Sequence, residues 1–171
     1  AKKSLGQNFL TDSNYIARIV AAAEPVSGDT IIEIGPGRGA LTERLLQAGV
    51  TVIAVELDRN LIAPLRTAFE GSGRFLLVEQ DALSVDFGAL VGLTPARPER
   101  LKLIANLPYY ISTAILQHLA AQRSVFSELI LMFQREVVAR ITAPPGTSER
   151  GYLTVLTERA FGVKKLLDVP P

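Results

Sequence analysis

Four stretches of the chain hold residue types whose spacing suits the binding of a nucleotide-like ligand. Glu33-Ile34-Gly35-Pro36-Gly37-Arg38-Gly39 comes directly after an apolar run and directly before helical periodicity that begins near Ala40. Glycines at such a junction turn with positive φ and let a ligand lie close to the backbone. Glu56 follows Gly35 by 21 residues, the spacing at which an acidic side chain meets a ribose in nucleotide-binding βαβ units. A carboxylate there accepts from both ribose hydroxyls. Gln80-Asp81-Ala82 closes the next apolar run; Asp81 is suited either to accept from an amino group of the ligand or to cap a turn. Asn106-Leu107-Pro108-Tyr109 closes a further one and, taken alone, also fits a strand-ending turn. The loop lacks Gly-x-x-x-x-Gly-Lys-Ser/Thr, which disfavours a triphosphate cradle.

These residues need strands to deliver them. The chain alternates short apolar runs with amphipathic stretches, the pattern of βαβ units. Strands are expected over Thr30–Ile34, Thr51–Val55, Phe75–Val78, Leu101–Ala105 and Leu129–Phe133, each rich enough in Ile, Leu or Val to be buried on both faces. Thr11 or Asp12 is positioned to cap a first helix carrying Ile16, Ile19, Val20 and Ala23 at helical spacing, ended by residues 25–29. Further helices are expected around Leu41–Ala48, Leu61–Leu65, Ile111–Leu119, Glu136–Ile141 and Tyr152–Ala160, with Pro64 kinking the second of these or marking its start. Residues 143–151 read as a loop and Val163–Val169 as a last strand. The fold class is therefore α/β, a Rossmann-like and mostly parallel sheet with helices on both faces. The glycine loop, Glu56, Asp81 and Asn106 all fall at carboxyl ends of strands, where ligands of open α/β sheets sit.

A length of 171 residues suits one domain. Without Cys and with a single His, the chain offers no disulfide framework and little for a metal, so the chemistry falls to carboxylates, amides, rings and backbone. No apolar run approaches the roughly 20 residues that span a bilayer, and no secretory leader pattern is visible. A net charge of +1 is far from the excess of a dedicated nucleic-acid module. The basic groupings at Lys2 and Lys3, at Arg97, Arg100 and Lys102, and at Arg135, Arg140 and Arg150 read singly as solvated faces.

Glu-x-Gly-x-Gly-x-Gly resembles the cofactor loop of Rossmann-like methyltransferases, and Asn106-Leu107-Pro108-Tyr109 resembles the Asn/Asp-Pro-Pro-Tyr motif of amino-methylating enzymes. Together with Lys3-Ser4-Leu5-Gly6-Gln7-Asn8-Phe9-Leu10-Thr11-Asp12 and Phe133-Gln134-Arg135-Glu136-Val137-Val138, they make nearly the whole chain similar to the ribosomal RNA small-subunit adenine dimethyltransferases. That resemblance implies S-adenosylmethionine as cofactor and no metal. The implied cofactor set is Asn8, Leu10, Glu33, Gly35, Gly37, Glu56, Leu57, Asp81, Ala82 and Asn106, with Glu33 near the sulfonium or the amino group. Asn106, Leu107, Pro108 and Tyr109 form the implied catalytic set. An exocyclic amine is a poor nucleophile because its lone pair is delocalised; the Asn106 side-chain oxygen and the Leu107 carbonyl would hold its two protons and aim the lone pair, while Tyr109 stacks on the adenine.

The implied substrate is a pair of adjacent adenosines in a hairpin loop of small-subunit ribosomal RNA, methylated on the immature small ribosomal subunit by a cytoplasmic monomer. Residues 1–10 would form an arm closing over the cofactor and residues 11–171 the catalytic domain. Tyr110 stands where some members have Asn, a change expected to be tolerated. Family members continue beyond the Pro170-Pro171 pair into an aromatic-bearing loop and a small helical domain; lacking both, this chain is expected to bind cofactor but methylate weakly. Three other readings remain open. A large-subunit RNA adenine methyltransferase of the macrolide-resistance type shares the glycine loop and Asn-x-Pro-Tyr, although Gln134-Arg135-Glu136 favours the small-subunit family. An assembly factor with incidental methylation is a second. A DNA amino-methyltransferase is disfavoured because no target-recognition region is present.

Overall fold

A computed structural model describes residues 12–94, 98 and 100–169, and all of Tyr109 except its side chain. Its centre is a five-stranded parallel sheet in the order β3-β2-β1-β4-β5, with β1 Thr30–Ile34, β2 Thr51–Glu56, β3 Phe75–Glu79, β4 Leu101–Asn106 and β5 Phe126–Met132. The chain runs outward from β1 to β2 and β3, then crosses to β4 on the other side of β1. The order therefore reverses between β1 and β4, the switch point at which open α/β sheets bind ligands.

Strand alternation splits the core in two. On one face Ile31, Val52, Ala54, Ile104 and Ile130 pack with α1 (Ser13–Ala22), α2 (Ala40–Gln47) and α3 (Arg59–Phe69) through Ile16, Ile19, Leu41, Leu45 and Leu65. On the other, Ile32, Val55, Leu103 and Ala105 pack with α4 (Phe87–Leu90) and α5 (Ser112–Ala121) through Phe87, Ile115 and Leu119. A third, smaller cluster joins α5 to α6 (Arg135–Ile141) and α7 (Tyr152–Ala160). Asp12 caps α1 by accepting from the Asn14 amide at 2.8 Å; Thr11 lies outside the described residues.

Several expectations need correction. Only the inner strands β1, β2 and β4 are buried on both faces; β3 and β5 are the sheet edges and are partly exposed. The last strand begins at Phe126, three residues before its apolar run, because the exposed Ser127 and Glu128 belong to an edge where polar residues are tolerated. Pro64 lies inside α3, which starts at Arg59 under an Asp58 cap, so the proline does not mark its beginning. Residues 161–169 form no strand: Val163, Leu166 and Val169 are exposed and the sequence there does not alternate. The short α4 is an element the periodicity did not show.

Candidate active site

The register of the sheet decides which side chains meet. Ala54 pairs with Glu33 and Val55 with Ile34 across β1 and β2, while Ala105 pairs with Ile34 across β4 and β1. One residue further along, Glu56, Gly35 and Asn106 come level on three neighbouring strands, on the face shared with Ile31, Ala54 and Ile104. The ladder holds to this level, since the Gly35 amide donates to the Val55 carbonyl at 2.9 Å and the Leu107 amide to the Met132 carbonyl at 3.2 Å. With strands about 4.8 Å apart, the Glu56 and Asn106 backbones stand roughly 10 Å from each other with only a glycine between them. Gly35 has φ 68°, and a Cβ built there would lie 3.7 Å from the Asn106 carbonyl oxygen. A Cβ at this position would be in ordinary contact with the Asn106 backbone, between the ends of β2 and β4.

Glu33 sits one row deeper under Gly35. It is 2% exposed, and its carboxylate accepts from the Thr42 hydroxyl of α2 at 2.6 Å. Burial pushes its pKa up to about 7, with the Thr42 hydrogen bond opposing the rise and the Glu56 charge adding to it. Thr42, fully buried between Leu41 and Leu45, is a partner the sequence reading missed. A hydroxyl on the inward stripe of α2 was its only signal.

Glu56 is also buried. Its carboxylate accepts from the backbone amides of Leu57 at 2.9 Å and Asp58 at 2.8 Å. Burial raises its pKa, while hydrogen bonds from the Asp58, Leu57 and Gly37 amides lower it. The bond from Gly37 ties the glycine loop to the end of β2. Leu57 points an apolar side chain outward, 54% exposed, beside this carboxylate. Asp81, at the end of β3, caps a 3-10 turn by accepting from the Leu83 amide at 2.9 Å, and Ala82 behind it is buried. Gly39 completes the loop with φ 84° and starts α2, and a Cβ there would collide with the Phe69 ring. This third glycine is needed for packing α3 against the loop.

On the other side of Gly35, Leu107 is buried and Pro108 half-buried, and the Pro108 carbonyl accepts from the Ile111 amide at 3.3 Å in the turn leading to α5. A proline holds the residue before it in extended backbone, which fixes the direction of the Leu107 carbonyl. Asn106 is half-buried and already engaged in contacts within the protein. Across the sheet the strand ends therefore present Asp81, Glu56, the glycine loop and Asn106 in that spatial order. Asn8 and Leu10 lie outside the described residues, as does the Tyr109 side chain.

Known proteins agree with this architecture. The sequence model of the family described as Ribosomal RNA adenine dimethylase matches residues 1–171. A relative named Ribosomal RNA small subunit methyltransferase A, from Laribacter hongkongensis, is 46% identical over 99% of this chain, which spans 63% of that protein's length. Among solved structures, a dimethyladenosine transferase from Plasmodium falciparum has a TM-score of 0.74 and 31% identity, covering 88% of this chain and 52% of its own. The 23S rRNA methyltransferase ErmE has a TM-score of 0.66 and 28% identity, covering 81% of this chain and 53% of its own. The chain belongs to the ribosomal RNA adenine dimethylase family.

Proposed function

We propose that the protein transfers methyl groups from S-adenosylmethionine to N6 of two adjacent adenosines in a hairpin loop of small-subunit ribosomal RNA, giving dimethyladenosine during maturation of the subunit. The observation that carries this reading is the row Glu56, Gly35, Asn106: an acid and an amide on either side of a bare glycine at the switch point of the sheet. The family and the names of its relatives support the substrate. On this reading the protein acts as a cytoplasmic monomer on immature small subunits.

The residues fit the cofactor. Gly35 and Gly37 would leave backbone open to the methionine moiety, and Glu56 would accept the ribose hydroxyls. Leu57 and Ala82 would flank the adenine, Asp81 would accept from its amino group, and residues 1–10, with Asn8 and Leu10, would close over it. S-adenosylmethionine supplies a methyl group on a sulfonium, an electrophile that needs an aligned lone pair more than a strong base.

Alignment is the work of the Asn106 turn. The Asn106 carboxamide oxygen and the Leu107 carbonyl accept hydrogen bonds from the two N6–H groups of the target, turning the nitrogen lone pair away from the ring. Tyr109 stacks on the base, and Pro108 keeps the Leu107 carbonyl from swinging out. After the first transfer the nitrogen is cationic and releases one proton to solvent; one N–H remains, so one of the two acceptors loses its partner before the second.

The test compares methyl incorporation into immature small subunits, large-subunit RNA and DNA by the whole protein and its Asn106→Ala variant. We expect incorporation into the small-subunit adenosines, a loss of at least about 100-fold in the variant, and nearly unchanged particle binding. Incorporation confined to large-subunit RNA or DNA would overturn the substrate. Equal loss of transfer and particle binding would point to an assembly role in place of a catalytic one.

A further inference from the structure

Two tyrosines flank α5, each 61% exposed. Tyr110 stands in the turn between the Asn106 segment and α5. Tyr152 starts α7 and is held against α5, where the Gln117 amide donates to its hydroxyl at 2.7 Å. Along a helix Gln117 lies roughly 10 Å beyond Tyr110. Between the same elements opens a cavity of about 550 Å³, lined by Thr113 of α5, Arg140 of α6, and Ser148, Glu149, Arg150 and Tyr152. It is a shallow depression open to solvent.

Its two arginines differ. Arg150 is locked in place, donating to both carboxylate oxygens of Glu158 at 2.9 and 2.6 Å and to the Ala143 carbonyl at 3.1 Å. Arg140 is exposed and, among the described residues, its guanidinium has no carboxylate partner. Arginine beside exposed aromatic rings is the composition with which proteins hold single-stranded RNA, the rings taking bases and the guanidinium a phosphate.

We infer that the outer face of α5, from Tyr110 to the cavity edged by Arg140 and Tyr152, is a groove for the RNA strand flanking the target adenosine. Tyr110 stacks on the nucleotide next to the target, Arg140 binds a backbone phosphate, and Tyr152 stacks on a base inside the cavity. Arg150, neutralised by Glu158, braces the wall. Glu149 on the lip opposes the phosphate and limits the affinity. The groove continues the site described above and rests on that reading.

The experiment is a titration of the whole protein with a fluorescein-labelled hairpin oligoribonucleotide at several salt concentrations, with S-adenosylhomocysteine affinity measured alongside. Tyr110→Ala and Tyr152→Ala should each weaken RNA binding about tenfold, the scale of one lost base stack, while Tyr110→Phe stays near wild type. Arg140→Ala should weaken binding and flatten the slope of log affinity against log salt by about 0.7, one phosphate contact on a single strand; Glu149→Gln should tighten binding. Arg44→Ala, on the exposed side of α2 across the sheet, should change neither. A 4-thiouridine-substituted hairpin should crosslink to residues 148–153 of the unaltered protein, which keeps the test decisive if a variant fails to fold. Wild-type affinity and slope in the alanine variants, or crosslinks only elsewhere, would overturn the groove while leaving the methylation reading standing. Failure of the unaltered protein to methylate or bind the RNA would overturn both.

Discussion

Among the described residues, Glu33 departs furthest from its ordinary behaviour. Its carboxyl is buried under the glycine loop with one hydroxyl partner, and its pKa rises from 4.5 to about 7. Between those values the folded state holds a proton that the unfolded chain has lost, so Glu33 makes stability fall as pH climbs from 4.5 to 7 and has no further effect above that. Glu56, raised in the same direction by burial, adds to the fall. Glu33→Gln keeps an acceptor for Thr42 and removes the ionisation. It should match wild type near pH 4 and exceed it by about 3 kcal/mol at pH 8. Urea unfolding at a series of pH values measures this; a constant difference between the two proteins would remove the buried-ionisation account. At Glu56, a change to Ala takes away the proposed ribose acceptor. Calorimetry should show S-adenosylmethionine binding weakened about tenfold or more, and unchanged affinity would exclude that role.

At the scale of elements, the glycine loop depends on the packing of its neighbours. Gly39→Ala forces a Cβ against Phe69 at a backbone angle that side chains rarely adopt, and should cost about 2 to 4 kcal/mol of stability. Adding Phe69→Leu should recover the steric part but not the backbone part; a double variant no better than Gly39→Ala would show that the collision is absent. Lys102 of β4 ties down the opposite end of the sheet. Its ammonium donates to the Ala23 and Glu24 carbonyls, both at 3.0 Å, just past the end of α1, and to Asp29 at 3.3 Å. Lys102→Met should therefore lower stability by about 1 to 3 kcal/mol and speed amide exchange in α1 before the rest of the molecule. Exchange accelerated evenly everywhere would count against a local anchor.

Elements were legible where a local rule forces them. Three glycines between an apolar run and an amphipathic stretch leave few alternatives to a strand-loop-helix turn, and the apolar run before Glu56 set that residue at the end of β2. The Thr42 partner of Glu33 was hidden because contact across a loop onto a helix has no period in sequence. The beginning of β5 was missed because an edge strand tolerates Ser127 and Glu128. The strand expected at 163–169 failed because apolar content without alternation does not specify a face. Asp81 shows the opposite ambiguity: the turn cap and the ligand acceptor use the same carboxylate, and the cap is the bond the structure shows.

For the whole molecule, the reversal of strand order between β1 and β4 brings together segments more than seventy residues apart in the chain, Gly35 and Asn106. Strand ends, and not local sequence, put a carboxylate and a carboxamide on either side of a bare backbone. On the proposed function, the cofactor lies across this row of strand ends. The crystal structure of the protein grown with S-adenosylhomocysteine tests it directly. Density should lie across the carboxyl ends of β1 and β2, the ribose on Glu56 and the sulfur facing the Asn106 turn. Density at another surface, or none at saturating concentration, would contradict the account.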